Sequence, residues 1–233
     1  MIDWFMIHYI AGSGGKMIAV CSQTSKGFHP WFDPADQDPR QLAQQHHGDR
    51  RTEPMSPYPL AFVCKTPPWT RGHDLSVDEA EQACRQEFDP RGTVTMYHCH
   101  PNIPAWFQGA RIRITHQTPQ EQQWVQDRRQ RLFYRHTEQG VIDLRKTELG
   151  SRPAIVRGFP QPAPDPRPLP TVIAADWRRE QIDRPSEHEI TVADIIDADP
   201  DHILDQIDQA TGTHTNRAWC RPYIQAWREH GNW

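Results

Sequence analysis

The chain has no apolar run approaching the roughly 18 residues of a membrane-spanning helix, so none is expected. Its start lacks a basic segment and a small-residue cleavage pattern, so a secretory leader is not expected either. Charge is nearly balanced, with a net −4 over 233 residues and a pI of about 6.3. That balance gives no general affinity for nucleic acid. CxxC and HExxH patterns are missing, which removes the common zinc signatures. Cysteine is sparse: Cys21, Cys64, Cys84, Cys99 and Cys220 are scattered and odd in number. Such usage fits free thiols in a reducing compartment rather than a disulfide framework, so a cytoplasmic protein is expected. Proline, by contrast, is plentiful at 22 residues, and mean hydropathy is −0.82. Both point to long irregular loops around a modest core.

What remains organises itself around the first 23 residues. Residues 4–10 form an apolar run rich in aromatic and β-branched side chains, the length of a buried strand. Ala11-Gly12-Ser13-Gly14-Gly15-Lys16 follows, and residues 17–21 read as the opening of a helix. Strand, glycine-rich turn and helix in that order make an anion cradle. Glycines let backbone N–H groups converge, the helix N-terminus adds partial positive charge, and Lys16 adds a full one. The Walker A spacing is not met, because Ile10 stands at its first glycine and Met17 at its metal-binding hydroxyl. A tight turn needing glycine for its dihedrals alone is the plainer explanation of the same residues.

Further along, residues 26–59 read as a long loop with a short helix at 39–46, and residues 60–65 as a short strand. A helix is expected over 76–88 with a Ser76/Glu79 capping box, and strands over 93–98 and 111–116. Thr118-Pro119-Gln120-Glu121 has the N-cap, N1 and N3 residues of a helix start, and that helix is expected to reach about His136. Its Arg128, Arg129, Arg131 and Arg135 make a basic face. Residues 141–155 are expected to be partly helical. Residues 158–170 hold six prolines and read as a connector, and 171–175 as a strand. A short turn is expected at 192–196, a helix from Asp199-Pro200 ended by Gly212, and an amphipathic helix over 216–229. Trp219, Tyr223 and Trp227 on that last helix read as packing residues. Alternating strands and helices indicate an α/β domain with a parallel sheet, spanning 1–233 as one unit. The loop at 26–59 is an insertion in that unit.

In such sheets ligands gather at the carboxyl ends of the strands. The Gly12–Lys16 turn, His98 and His100, and His116-Gln117-Thr118 all fall there. A phosphate cradle facing a histidine suits group transfer: the imidazole takes a proton from an acceptor hydroxyl, and the lysine neutralises charge on the leaving phosphate.

At this point the chain resembles the P-loop sulfotransferases, which use 3′-phosphoadenosine 5′-phosphosulfate (PAPS). Ala11–Lys16 is similar to that family's phosphosulfate loop. His100, in MYHCHPNIP, stands like the family's strand-end catalytic histidine. Gln117-Thr118-Pro119 lies 17 residues beyond His100, where the family carries Arg-Asn-Pro before a helix. ITVADIIDADPDHILDQIDQATG, residues 190–212, is similar in layout to the family's later Glu-Asp-Leu segment. The resemblance implies a three-layer P-loop fold and a PAPS cofactor. Gly12, Ser13, Gly14, Gly15 and Lys16 would take the phosphosulfate, and His100 would be the base, with Lys16 assisting. It also implies an acceptor hydroxyl on a small molecule or protein. Phage genomes encode small proteins of this kind, so a viral source and location fit. The chain departs from the family in three places. Gln117 stands where an arginine grips the 3′-phosphate, Val125 stands where a serine assists, and the family's loop lysine falls at Gly12. Arg128 or Arg129 is a candidate to replace the lost charge. Three other readings stay open: a non-enzymatic viral structural or interaction protein on this scaffold, with a homo-oligomer or viral partner; a kinase-like nucleotide enzyme using Asp176; and a zinc site at His98 and His100 with Cys64 or His73.

Overall fold

The computed structural model describes residues 3–9, 12–28, 33–47, 78, 81, 82, 85, 92–98, 107–137, 140–143 and 188–231. Its centre is a four-stranded parallel sheet in the order β2-β1-β3-β6. These strands are β1 (Trp4–His8), β2 (Val94–His98), β3 (Ala110–Thr115) and β6 (Glu189–Thr191). β1 is an inner strand, paired with β2 on one side and β3 on the other, and β6 pairs with β3. A separate antiparallel pair joins β4 (Tyr134–Thr137) to β5 (Gly140–Asp143). The expected α/β class with a parallel sheet is therefore observed.

The helices among the described elements are α1 (Gly15–Ser22), α2 (Pro39–His47), α3 (Pro119–Phe133), α4 (Val192–Asp197), α5 (Pro200–Thr211) and α6 (Arg217–Gly231). Alternation along the strands sends successive side chains to opposite faces. Phe5, Ile7, Ile112, Ile114 and Ile190 share one core with Met17–Cys21 of α1, Leu42 and Ala43 of α2, Ile195 of α4, Ile203, Leu204 and Ile207 of α5, and Tyr223 and Trp227 of α6. Each Met17–Cys21 side chain is fully buried. A helix apolar all round needs cover all round, and α1 has it: β1, β2, α5 and α6 all pack on it.

Local chemistry explains the boundaries. Thr118 Oγ1 accepts from Glu121 N at 3.2 Å, so α3 begins as its sequence signals. It stops at Phe133, three residues before the expected end, because the chain turns into the β4–β5 pair. Of the segment expected to be partly helical, residues 141–143 belong to β5, and the remainder lies outside the described residues. Thr191 and Asp194 form a capping box, with Asp194 N donating to Thr191 Oγ1 at 3.0 Å and Thr191 N to Asp194 Oδ2 at 2.9 Å. The segment expected as a short turn is thus helix α4, and the residues before it are a sheet strand. Asp199 caps α5 through Asp201 N at 2.8 Å, and Gly212 ends it in the left-handed region. α6 follows, and Trp219, Tyr223 and Trp227 pack in the core as expected. Asp78, Glu81, Gln82 and Arg85 are helical, which fits the helix expected there. The readings at 60–65, 99–100, 158–170 and 171–175 lie outside the described residues.

α6 is tied down at both ends. Arg217 Nη2 donates to Asp205 Oδ1 at 2.6 Å and Asp208 Oδ2 at 2.8 Å, and Arg221 grips both carboxylate oxygens of Asp201. Near its far end, Arg228 donates to the carbonyls of Ile195 and Asp194 at 2.8 and 2.9 Å. The Asp194 carbonyl also accepts from Ala198 N at 3.1 Å, so Arg228 and the backbone share the end of α4. No described helix is long and apolar enough to cross a membrane.

Candidate anion-binding site

The turn from β1 into α1 has the geometry its glycines imply. Gly12 and Gly14 sit at φ +97° and +95°, and Gly14 is the N-cap of α1. A glycine cap offers no side-chain acceptor, so the first helical N–H groups look to other partners. Lys16, the second residue of α1, is partly exposed, as is Gly12. Ser13, Gly14 and Gly15 are buried. The exposed rim of the turn is therefore Gly12 and Lys16, while Ser13 faces inward.

Packing accounts for two of the glycines as fully as any ligand does. A Cβ on Gly15 would lie 2.7 Å from the Tyr9 ring. A Cβ on Gly14 would lie 3.0 Å from Ile195 Cγ2 and 3.4 Å from Trp227 Cη2. Tyr9, α4 and α6 thus press against the turn from its inner side. Met17, at the position where a Walker loop carries its metal-binding hydroxyl, is wholly buried in the core.

Trp227 also brings a cation to the turn. The Arg128 guanidinium lies 4.0 Å from the Trp227 ring centroid and 5.3 Å from that of Trp124. Since the Trp227 ring edge lies 3.4 Å from where a Gly14 Cβ would sit, one tryptophan stands between the arginine of α3 and the glycine turn. Gln117 is placed differently. It is exposed, and its backbone N–H donates to the Glu121 carboxylate at 2.8 Å. A carboxylate at that spot is an unfavourable neighbour for a phosphate. Val125 is fully buried among apolar side chains and offers nothing polar. The turn itself carries Lys16, partly exposed, at its rim. His100 lies outside the described residues, as do Cys64, His73 and Asp176. Among the described residues no group of three or more His, Cys, Asp or Glu is placed to hold a metal ion.

Two residues that sequence reasoning passed over stand at the same end of the sheet. His8 is the last residue of β1 and only 1% exposed. It was hidden inside an apolar run, where a buried polar residue was itself the signal. Arg113 of β3 is its register partner and forms an ion pair with Glu189 at 3.8 Å. Beyond β3, burial of the His116 ring, aided by the Arg113 charge, pushes its pKa down to about 4. His116 is therefore neutral at pH 7. No family model, curated protein or solved structure matches the chain.

Proposed function

We propose that the chain is a sulfotransferase-like group-transfer protein on a parallel-sheet P-loop scaffold. It takes a sulfuryl group from a 3′-phosphoadenosine-type donor to the hydroxyl of a small-molecule or protein acceptor. One observation supports this above the others. An inner parallel strand runs through a left-handed glycine turn into a helix, with Lys16 partly exposed at the helix start and Arg128 stacked on Trp227, whose ring edge faces the turn. Helix starts of this kind attract phosphate through their N–H groups and partial charge. In this reading Gly12, Gly14 and Gly15 offer backbone N–H groups, and Lys16 offsets the charge of the donor phosphate. Arg128, rather than Gln117, serves the 3′-phosphate. PAPS, when bound, supplies an activated sulfuryl group, and the resemblance gives the proton-accepting role to His100.

Calorimetry with adenosine 3′,5′-bisphosphate tests the reading. Binding heat is expected in the full chain, and it should be lost in Lys16→Ala and weakened in Arg128→Met. Absence of heat for this ligand removes the transferase reading. A second reading, a non-enzymatic interaction protein on the same scaffold, is favoured by Tyr9, Ile195 and Trp227, whose packing already accounts for Gly14 and Gly15. It expects no nucleotide heat at all. A kinase-like enzyme expects heat with ATP and Mg²⁺, and buried Met17 in place of a hydroxyl opposes it.

A further inference from the structure

Two cysteines from opposite ends of the chain meet in the core. Cys21 stands in the last turn of α1 and Cys220 in the first turn of α6. Both are free thiols and both are fully buried. They are 199 positions apart in sequence, and the packing of α6 on α1 brings them together. The two thiols hydrogen-bond to each other, and Cys220 Sγ lies 3.9 Å from the Cys21 carbonyl oxygen. A disulfide forms only where two sulfurs can close to about 2 Å without a large shift of the backbone. Thiols already in contact meet that need.

Thr24 fixes the direction of the bonds around the pair. Its hydroxyl has one proton, which goes to the Cys21 carbonyl at 2.7 Å. Its oxygen accepts from Asn216 N at 3.0 Å, and towards Cys220 Sγ, at 3.3 Å, it can act only as acceptor. The Cys220 S–H therefore points at Thr24, and the lone pairs of that sulfur face the Cys21 S–H. Burial, joined by the hydrogen bond and charge of Cys220, holds the Cys21 thiol well above its usual pKa, so Cys21 keeps its proton in this bond. The pair is buried but shallow. Thr24 is partly exposed and Asn216 is exposed, so the side chain that touches Cys220 is itself at the surface.

We infer that Cys21 and Cys220 are an oxidisable dithiol that closes to a disulfide and staples α1 to α6. The oxidant is a small hydroperoxide, admitted when Thr24 swings aside. The Cys220 sulfur attacks a peroxide oxygen: an S–O bond forms, the O–O bond breaks, and the thiol proton leaves with the departing oxygen as water or an alcohol. Cys220 is then a sulfenic acid. The Cys21 sulfur attacks it next. The S–S bond forms, the S–O bond breaks, and the hydroxide released takes the Cys21 proton as water. Two thiols have lost two electrons and the peroxide has gained them. In a reducing compartment such a bond is transient and reports oxidant, because two molecules of a small thiol reopen it and become one small disulfide. The inference does not depend on the transferase reading.

Peptide mapping of the full chain is the test. The folded, reduced protein is treated with hydrogen peroxide, remaining thiols are blocked with N-ethylmaleimide, and the digest is read by mass spectrometry without reduction. A peptide linked through Cys21 and Cys220 is expected as the main cross-linked product, and dithiothreitol should remove it. The closed form should melt roughly 5–15 °C above the reduced one, since the bond constrains a long loop of the unfolded chain. Thr24→Ala removes the hydroxyl that covers Cys220 and should close about fivefold faster, the effect of one lost hydrogen bond on a local opening. In Cys21→Ala, Cys220 lacks its resolving partner, so peroxide should carry it on to sulfinic acid. Both thiols recovered unreacted, Cys220 linked mainly to Cys64, Cys84 or Cys99, or closure seen only in the urea-unfolded chain overturns the inference. A folded Thr24→Ala variant that closes no faster than the native chain overturns it as well.

Discussion

Gly14→Ala is the substitution whose cost can be worked most completely from the structure. Gly14 has φ +95°, and an L-residue held in the left-handed region costs roughly 1–2 kcal/mol. The new methyl would also meet Ile195 Cγ2 at 3.0 Å and Trp227 Cη2 at 3.4 Å. Ile195 and Trp227 are 0% and 2% exposed, so neither yields freely, and overpacking of this sort costs about 1–3 kcal/mol. The sum is about 2–5 kcal/mol, a large share of the 5–15 kcal/mol that holds a typical domain. For a chain of this size the melting temperature should fall by roughly 5–15 °C. Gly212→Ala provides the control. Its φ is +65°, and a Cβ there meets no described atom within 4 Å, so only the backbone cost of roughly 1–2 kcal/mol remains. Urea unfolding of both variants measures the difference directly. In an Ile195→Ala background the Gly14→Ala cost should shrink by about 1 kcal/mol, because the obstructing atoms are gone. If Gly14→Ala costs no more than Gly212→Ala, the claimed seat of the turn against α4 and α6 is wrong.

Three further outcomes follow from particular contacts. His116 is held neutral in the fold, at about pKa 4, while the unfolded chain binds its proton near pH 6.5. Stability should therefore decline as pH falls from about 6.5 to 4 and lose nothing more from this residue below that. The ring is half-exposed, so solvent screening holds the loss to the order of 1 kcal/mol, and His116→Gln should flatten that segment of a urea-midpoint-against-pH profile. Thr191→Ala removes the capping box of α4 and should cost about 1 kcal/mol; Thr191→Ser, which keeps the acceptor, should restore most of it in thermal melts. Arg228→Met gives up two bonds to the Ile195 and Asp194 carbonyls and should cost about 1–3 kcal/mol by urea unfolding.

Much of the architecture could be read from local pattern. The run at the start, the glycine turn, and the Thr118-Pro119-Gln120-Glu121 and Asp199-Pro200 starts each rest on chemistry within a few residues, and each stands in the structure. The misses have a common cause in longer-range pairing. β6 is three residues long, and its strand character comes from pairing with β3. The end of α3 is set by the β4–β5 pair, which no helix propensity reveals. Helix α4 was legible, because Thr191 and Asp194 have capping-box spacing, but its brevity disguised it as a turn. At the candidate site, glycine spacing gave the turn, while the buried state of Ser13 depends on tertiary packing. The placing of Arg128 depends on Trp227, roughly a hundred residues away in sequence, and only the fold brings them together. His8 and Arg113 became visible as neighbours once the register was known.

The most direct test of the glycine turn as a phosphate seat is a titration of isotope-labelled full chain with adenosine 3′,5′-bisphosphate, followed at individual backbone amides. The Gly12, Gly14 and Gly15 amide signals should move together and saturate, and in Lys16→Ala the same movement should need far more ligand. Glycine amides that stay fixed at saturating ligand, or that respond equally in Lys16→Ala, would show that the turn serves packing alone.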